Sequence, residues 1–187
     1  MPTDEAWARV PSLADREAVA AQLGRPARAD FLIAVRGACG SPAVIQTPPR
    51  LPDGSPFPTQ WYLTCRTLAA AVSTMEANGA MATFEVRLAE DDGFASAYRT
   101  AHEEYLRTRK RVASGADPVP ELDGISAGGM PRRVKCLHAL LAQSLVVGPG
   151  VNPVGDAVLD QLRDSGVWPC SRPCVRLDTA PTSPTRL

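Results

Sequence analysis

Cys39, Cys65 and Cys136 stand far apart in the chain, in the contexts Ala-Cys-Gly, Leu-Thr-Cys and Val-Lys-Cys-Leu-His. Thiolates are the ligands that zinc and iron–sulfur clusters demand, so three cysteines placed at element boundaries point to a site that only the fold can assemble. With one imidazole the three thiolates would complete a tetrahedral zinc site; alone they would hold a four-iron cluster with one iron open to a ligand. The chain has two histidines, His102 and His138. On a regular helix Cys136 and His138 would lie about 200° apart, which favours His102 as the fourth metal ligand unless the helix has barely begun at Cys136. The competing reading of each cysteine is a small buried apolar residue, and that of each histidine a neutral core imidazole. A nucleophilic pair, with Cys136 or Cys65 as thiolate and His102 as base, is a further option, because such partners meet in space and not in sequence.

Charged residues flank the same motifs. Arg50, Asp53, Arg132 and Lys135 lie in loops or at an expected helix start, where cations and a helix N-terminus could bind a small anionic or sulfur-containing ligand or activate a thiol. Signatures of common enzyme classes are missing: there is no Walker Gly-Lys-Ser/Thr, no His-Glu-x-x-His and no Gly-x-Ser-x-Gly.

Composition bounds the rest. A length of 187 residues with 44% hydrophobic content suits one globular domain, expected over residues 1–168. Twenty basic residues against twenty acidic ones leave no net charge, which argues against nucleic acid as a partner. The absence of a long apolar run or a signal-like N-terminus argues against a membrane and for the cytoplasm, where five cysteines would not form a disulfide framework.

The elements that must carry the thiols follow from local signals. Ser12 with Asp15 reads as a capping box that opens a helix closed by Gly24. Asp30 to Arg36 and Ala43 to Gln46 read as strands joined through Cys39-Gly40-Ser41-Pro42, and Trp61 to Thr64 as a third. Between them, Thr47 to Thr59 carries five prolines and must be an ordered loop or a covering arm. Helices are expected over about Thr67 to Asn78, around Met81, Phe84 and Leu88, and from Gly93 to Val112, where Phe94, Tyr98, Ala101, Tyr105 and Arg109 share a face. Ala113 to Gly129 reads as a long loop, Pro131 as the first residue of the next helix, and Asn152 as the cap of the last. The sum is an α+β fold: a mainly helical domain with a small sheet in the N-terminal third, a long Pro-rich loop, and a C-terminal tail over 169–187 expected to be disordered.

Several segments together resemble a known family. Arg50-Leu51-Pro52-Asp53-Gly54, Trp61-Tyr62-Leu63-Thr64-Cys65, Ala97 to Leu106, Gly128-Gly129-Met130-Pro131-Arg132-Arg133-Val134-Lys135-Cys136-Leu137-His138 and Gly148 to Asp156 are similar to the actinobacterial DUF501 proteins of unknown function. The resemblance covers roughly Val19 to Leu162. That family commonly has Cys-Pro-Cys-Gly where this chain has Gly37-Ala38-Cys39-Gly40, and Thr-Cys-Pro where it has Thr64-Cys65-Arg66. Its members are often encoded beside a septum-formation initiator and an exopolyphosphatase-like enzyme. The resemblance therefore implies, as an alternative to metal binding, a non-catalytic partner of a cell-division or envelope-growth protein.

Overall fold

The computed structural model describes residues 8–112, 119–170, 172 and 174. It is an α+β fold with three antiparallel strands and, among the described residues, six α-helices. In the sheet, β1 (Leu32–Arg36), β2 (Pro42–Gln46) and β3 (Trp61–Leu63) lie in sequence order, with β2 in the centre. All five residues of β2 are buried, as expected of a strand covered on both faces. Register alternation then divides the side chains. Ile33 and Ile45 join Val19 and Phe31 in a small core under α1 (Leu13–Leu23), with Tyr62 packed against it. Ala34, Val44, Trp61 and Leu63 face the main helical core.

Helix α1 begins where the sequence signals it. Ser12 and Asp15 form the reciprocal capping box, and Gly24 closes the helix with φ +68°. Asp15 also receives two hydrogen bonds from the Arg36 guanidinium, at 2.7 and 2.8 Å, which fasten α1 to the end of β1.

Three helices, α2 (Arg66–Ala77), α3 (Ala80–Glu90) and α4 (Asp92–Val112), follow β3 in succession. Gly79 breaks the first junction at φ +85°, and Asp91 caps α4 by accepting from Phe94 N–H at 2.9 Å. The expected inward face of α4 is buried from Phe94 through Arg109. Its polar ends hold loops. Tyr105 Oη accepts from Gln60 N–H at 2.6 Å and donates to Pro58 O at 3.1 Å. The Arg109 guanidinium donates to the carbonyls of Pro58, Leu122 and Ile125. The Pro-rich loop is thereby tied to the segment after α4, in which Pro120–Leu122 forms a single 3₁₀ turn. Of the expected loop over 113–129, residues 113–118 lie outside the described residues.

Helix α5 (Leu137–Val147) is the centre of the molecule, with Leu137, Leu140, Leu141 and Gln143 fully buried. Apolar on all sides, it is covered by β3, α2 and α6 (Pro153–Asp164). Here the sequence expectation needs correction: α5 does not start at Pro131. Arg133 N–H returns to Gly129 O at 3.0 Å and Lys135 N–H to Gly128 O at 2.7 Å, so residues 128–135 form a folded loop. Gly128 and Gly129 adopt φ +68° and +95°, and a side chain on Gly128 would come within 2.6 Å of the Leu140 side chain. Cys136 is still extended (φ −156°, ψ 104°), and the helix begins after it.

The packing of α6 on α5 depends on Gly155 and Asn152. A Cβ on Gly155 would overlap the Leu140 carbonyl oxygen and the Ser144 hydroxyl. Asn152, wholly buried, caps α6 by accepting from Val154 and Gly155 N–H and donates to Gln143 Oε1 at 2.8 Å. Gln143 in turn donates to Ala101 O at 2.9 Å.

Two outcomes follow for stability. Gly155→Ala should destabilise the chain by about 3 kcal/mol, because a backbone oxygen cannot move aside; a thermal melt should show Tm reduced by roughly 6–12 °C. Asp15 is held well below the ordinary carboxylate range by the Arg36 hydrogen bonds, helped by Ser12 N–H and opposed by burial. A depressed folded value stabilises the fold fully above the unfolded value of about 3.9 and loses that contribution as pH falls below it. Asp15→Asn should therefore cost about 1 kcal/mol at pH 7, modest because the Arg36 side chain is 37% exposed. Denaturant titrations should show that the gap from wild type narrows below about pH 4.

Candidate functional site

Two groups of sulfur-bearing residues emerge, on opposite sides of the segment Thr64–Arg66. The first surrounds Cys170. Cys39 sits in the turn between β1 and β2, where Gly37 N–H bonds Ser41 O and Gly40 takes φ +80°. The turn brings Cys39 Sγ to 3.6 Å from Cys170 Sγ, while Cys39 N–H donates to Cys170 O at 3.0 Å. Cys65, 1% exposed at the start of α2, places its Sγ 3.9 Å from Cys170 Sγ. Cys174 lies close enough to Cys65 for their charges to interact, and its Sγ accepts from Gln22 Nε2 at 3.5 Å. Glycine at position 37 leaves room for this convergence: a Cβ there would stand 3.2 Å from both Cys39 Sγ and Cys170 Sγ. Burial and the neighbouring sulfurs push the Cys170 thiol up to about 12, and burial pushes Cys65 up as well.

Of the four residues expected to meet at a metal, Cys39 and Cys65 therefore do share a neighbourhood, through Cys170. Cys136 and His102 have other partners. His102 Nδ1 is 2.8 Å from Ser126 Oγ, and burial holds the imidazole below its ordinary value, which describes a neutral, hydrogen-bonded ring on α4. Cys170 and Cys174 were placed in a disordered tail by composition; Cys170 is 6% exposed and belongs to the main core. The other residues of that expected tail, apart from Pro169 and Arg172, lie outside the described residues. The Cys-x-x-x-Cys spacing of 170 and 174, within the two-to-four-residue gap usual for zinc ligands, was the available signal.

The second group is Cys136, His138 and Glu76, whose ligand-type atoms all lie within 4.8 Å of one another. The separation of about 200° between Cys136 and His138 does not apply, because Cys136 precedes the helix. Glu76, from the last turn of α2, accepts Leu137 N–H at 2.7 Å and stands 3.2 Å from His138 Nδ1. It thus caps α5 from outside. His138 Nε2 lies 3.1 Å from Ala69 O and 3.3 Å from Ser73 Oγ. The nearby Cys136 thiol raises His138 to about 9, against burial, with the Glu76 charge adding to the effect. Burial pushes Cys136 up, but the His138 hydrogen bond and Ala139 N–H outweigh it and leave the thiol below its ordinary value.

This second group opens on a cleft of about 510 Å³, walled by Leu23, Trp61, Leu63 and Ala139. The charged side chains that line it, besides the Cys136 thiol, are Arg66 and His138. Gln22 lines it too, 6% exposed; its Nε2 donates to Pro42 O at 2.8 Å and its Oε1 has no hydrogen-bond partner among the described residues.

The residues expected to receive an anion are dispersed. Arg50 pairs with Glu121 at 3.1 Å and Asp53 accepts from Ser55 N–H at 2.9 Å, both within the Pro-rich arm and its support. Arg132 and Lys135 are exposed on the 128–135 loop, ahead of α5 and not in its first turn. That loop is anchored by Glu85, which accepts Val134 N–H at 3.2 Å, and by Tyr98, which donates to Arg133 O at 3.0 Å.

No curated protein and no solved structure matches the chain. One family does, described as a protein of unknown function, DUF501, and it spans residues 33–160, from β1 through most of α6. The match covers all three strands, Cys39, Cys65 and the whole Glu76, Cys136 and His138 group, and on it the chain belongs to the DUF501 family.

Proposed function

We propose that this protein binds one zinc ion through Cys39, Cys65, Cys170 and Cys174, and that the bound metal fixes one wall of a cleft that accepts a small anionic ligand. The observation that carries the reading is the pair of sulfur separations. Four thiolates at about 2.3 Å from a tetrahedral ion stand about 3.8 Å apart. The 3.6 and 3.9 Å distances from Cys170 to Cys39 and Cys65 bracket that value; no three of the four sulfurs lie within 4.8 Å of one another, so the ion would draw the other pairs in as it binds. A four-iron cluster would spread its thiolates farther, because irons and sulfides stand between them. The donor set suits zinc: four soft sulfurs, three of them delivered by a tight turn, a helix start and a buried C-terminal segment. Zinc held there would neutralise thiolates that otherwise repel one another in a buried place, and would join the β1–β2 turn to the segment that follows α6.

The small-ligand part of the reading rests on the cleft. Its wall is apolar and its fixed positive charges are Arg66 and His138, so an anionic group on a hydrocarbon body is the complementary shape and charge. Gln22 joins the two features, since its amide touches Cys174 on one side and lines the cleft on the other.

Elemental analysis of the purified full chain should find one zinc per molecule. Cys170→Ser and Cys174→Ser should each lose it, and removal of zinc by a chelator should lower Tm by several degrees, as expected when binding energy is folding energy. Metal-free, fully folded protein with a Cys39–Cys170 disulfide would sink the proposal.

A further inference from the structure

The zinc reading leaves Cys136 unused, although its surroundings are those of a working thiol. The sulfur stands at the N-terminus of α5, where partial positive charge favours an anion. Ala139 N–H, in the first turn, is near enough to help hold the thiol below its ordinary value. His138 lies beside it with an acceptor at each ring nitrogen: Glu76 Oε1 at Nδ1 and Ala69 O at Nε2. A ring that donates at both nitrogens is an imidazolium, and an imidazolium next to a thiol at a helix N-terminus stabilises the thiolate. The same two acceptors argue against a metal on this trio, because a metal needs a ring lone pair, and the Glu76 oxygen is already occupied by Leu137 N–H.

The cleft supplies what a nucleophile requires. In the first turn of α5, Leu137 N–H goes to Glu76, and the amides of His138 and Ala139 that follow it have no intrahelical acceptor, which makes them donors for a developing oxyanion. Leu23, Trp61 and Leu63 offer an apolar wall and Arg66 a cation.

We propose that Cys136 is a catalytic nucleophile that takes an acyl group from an anionic ester or thioester bound in this cleft, with His138 as its proton partner and Glu76 as the residue that positions His138. The thiolate attacks the carbonyl carbon, so that a carbon–sulfur bond forms as the bond to the leaving oxygen or sulfur breaks. The leaving group departs with that electron pair and takes the Nε2 proton of the imidazolium, which gives up its hydrogen bond to Ala69 O on the cleft wall as it does so. Water then adds to the thioester carbon: one of its protons returns to His138, its hydroxyl stays on the acyl carbon as the carboxylic acid, and the sulfur leaves as thiolate. The proposal goes beyond zinc binding and does not depend on it.

The test uses the full chain and p-nitrophenyl acetate. Wild type should release a burst of one equivalent of p-nitrophenolate at pH 6.5, with an acetyl group found by mass spectrometry on the peptide that contains Cys136. The burst rate should reach half its maximum below the ordinary thiol value of about 8.5. His138→Gln should still acylate Cys136, but its profile should move up to that value and its rate at pH 6.5 should fall at least tenfold; Glu76→Gln should move the profile part of the way. Cys136→Ala should abolish the burst while circular dichroism confirms the fold. Acylation at other cysteines, a wild-type profile centred at or above pH 8.5, or no burst would each overturn the proposal. So would a second equivalent of zinc that is lost in His138→Gln, which would make the trio a metal site.

Discussion

The chain of buried amides from Ala101 to the N-terminus of α6 is the constraint on which the rest of the structure depends. Gln143 and Asn152 are fully buried, and each uses its amide to serve a neighbouring backbone: Gln143 donates to the Ala101 carbonyl of α4, and Asn152 accepts from the Val154 and Gly155 amides, which have no partner within α6. Buried polar groups carry a large penalty when one partner is removed, so the three helices α4, α5 and α6 can adopt only the arrangement in which every link is made. Gly155 then lets α6 approach α5 closely, with backbone against backbone. An apolar interface alone would have allowed α5 to slide; the amides fix its register.

That register has a direct result at the other end of α5. The helix enters immediately after Cys136, and its first amide, that of Leu137, meets Glu76 from α2. A carboxylate that caps a neighbouring helix would need no histidine beside it. Here the same oxygen also holds His138, and the ring reaches Ala69 and Ser73 on the same helix α2. One packing relation between α2 and α5 therefore places the thiol, the imidazole and the carboxylate together, within 4.8 Å of one another, although they come from two elements.

Much of this was legible in sequence where the signal was local. Ser12, Asp15 and Gly24 mark α1; Asn152 and Pro153 mark α6; the spacing of Phe94, Tyr98, Ala101, Tyr105 and Arg109 marks the buried face of α4. The reading of Pro131 as a helix start failed because a glycine pair with positive φ just before it folds residues 133 and 135 back onto Gly128 and Gly129, a tertiary closure that proline's own preference does not reveal. A helix from Pro131 would hold Cys136 and His138 about 200° apart, whereas the extended backbone at Cys136 lets both face Glu76. Cys170 and Cys174 were hidden differently: a segment rich in proline and serine looks unstructured by composition, yet Cys170 is held by the Cys39 amide and by contacts that come from the far end of the chain.

The Arg109 guanidinium, donating to Pro58 on one side and to Leu122 and Ile125 on the other, has a consequence for motion. A buried cation with carbonyl partners from two loops cannot release one of them cheaply, since the charge left behind would lack solvation. The Pro-rich arm and the segment after α4 should therefore open together, as one cooperative unit, and their amides should exchange with solvent at a common rate although more than sixty residues separate Pro58 from Leu122.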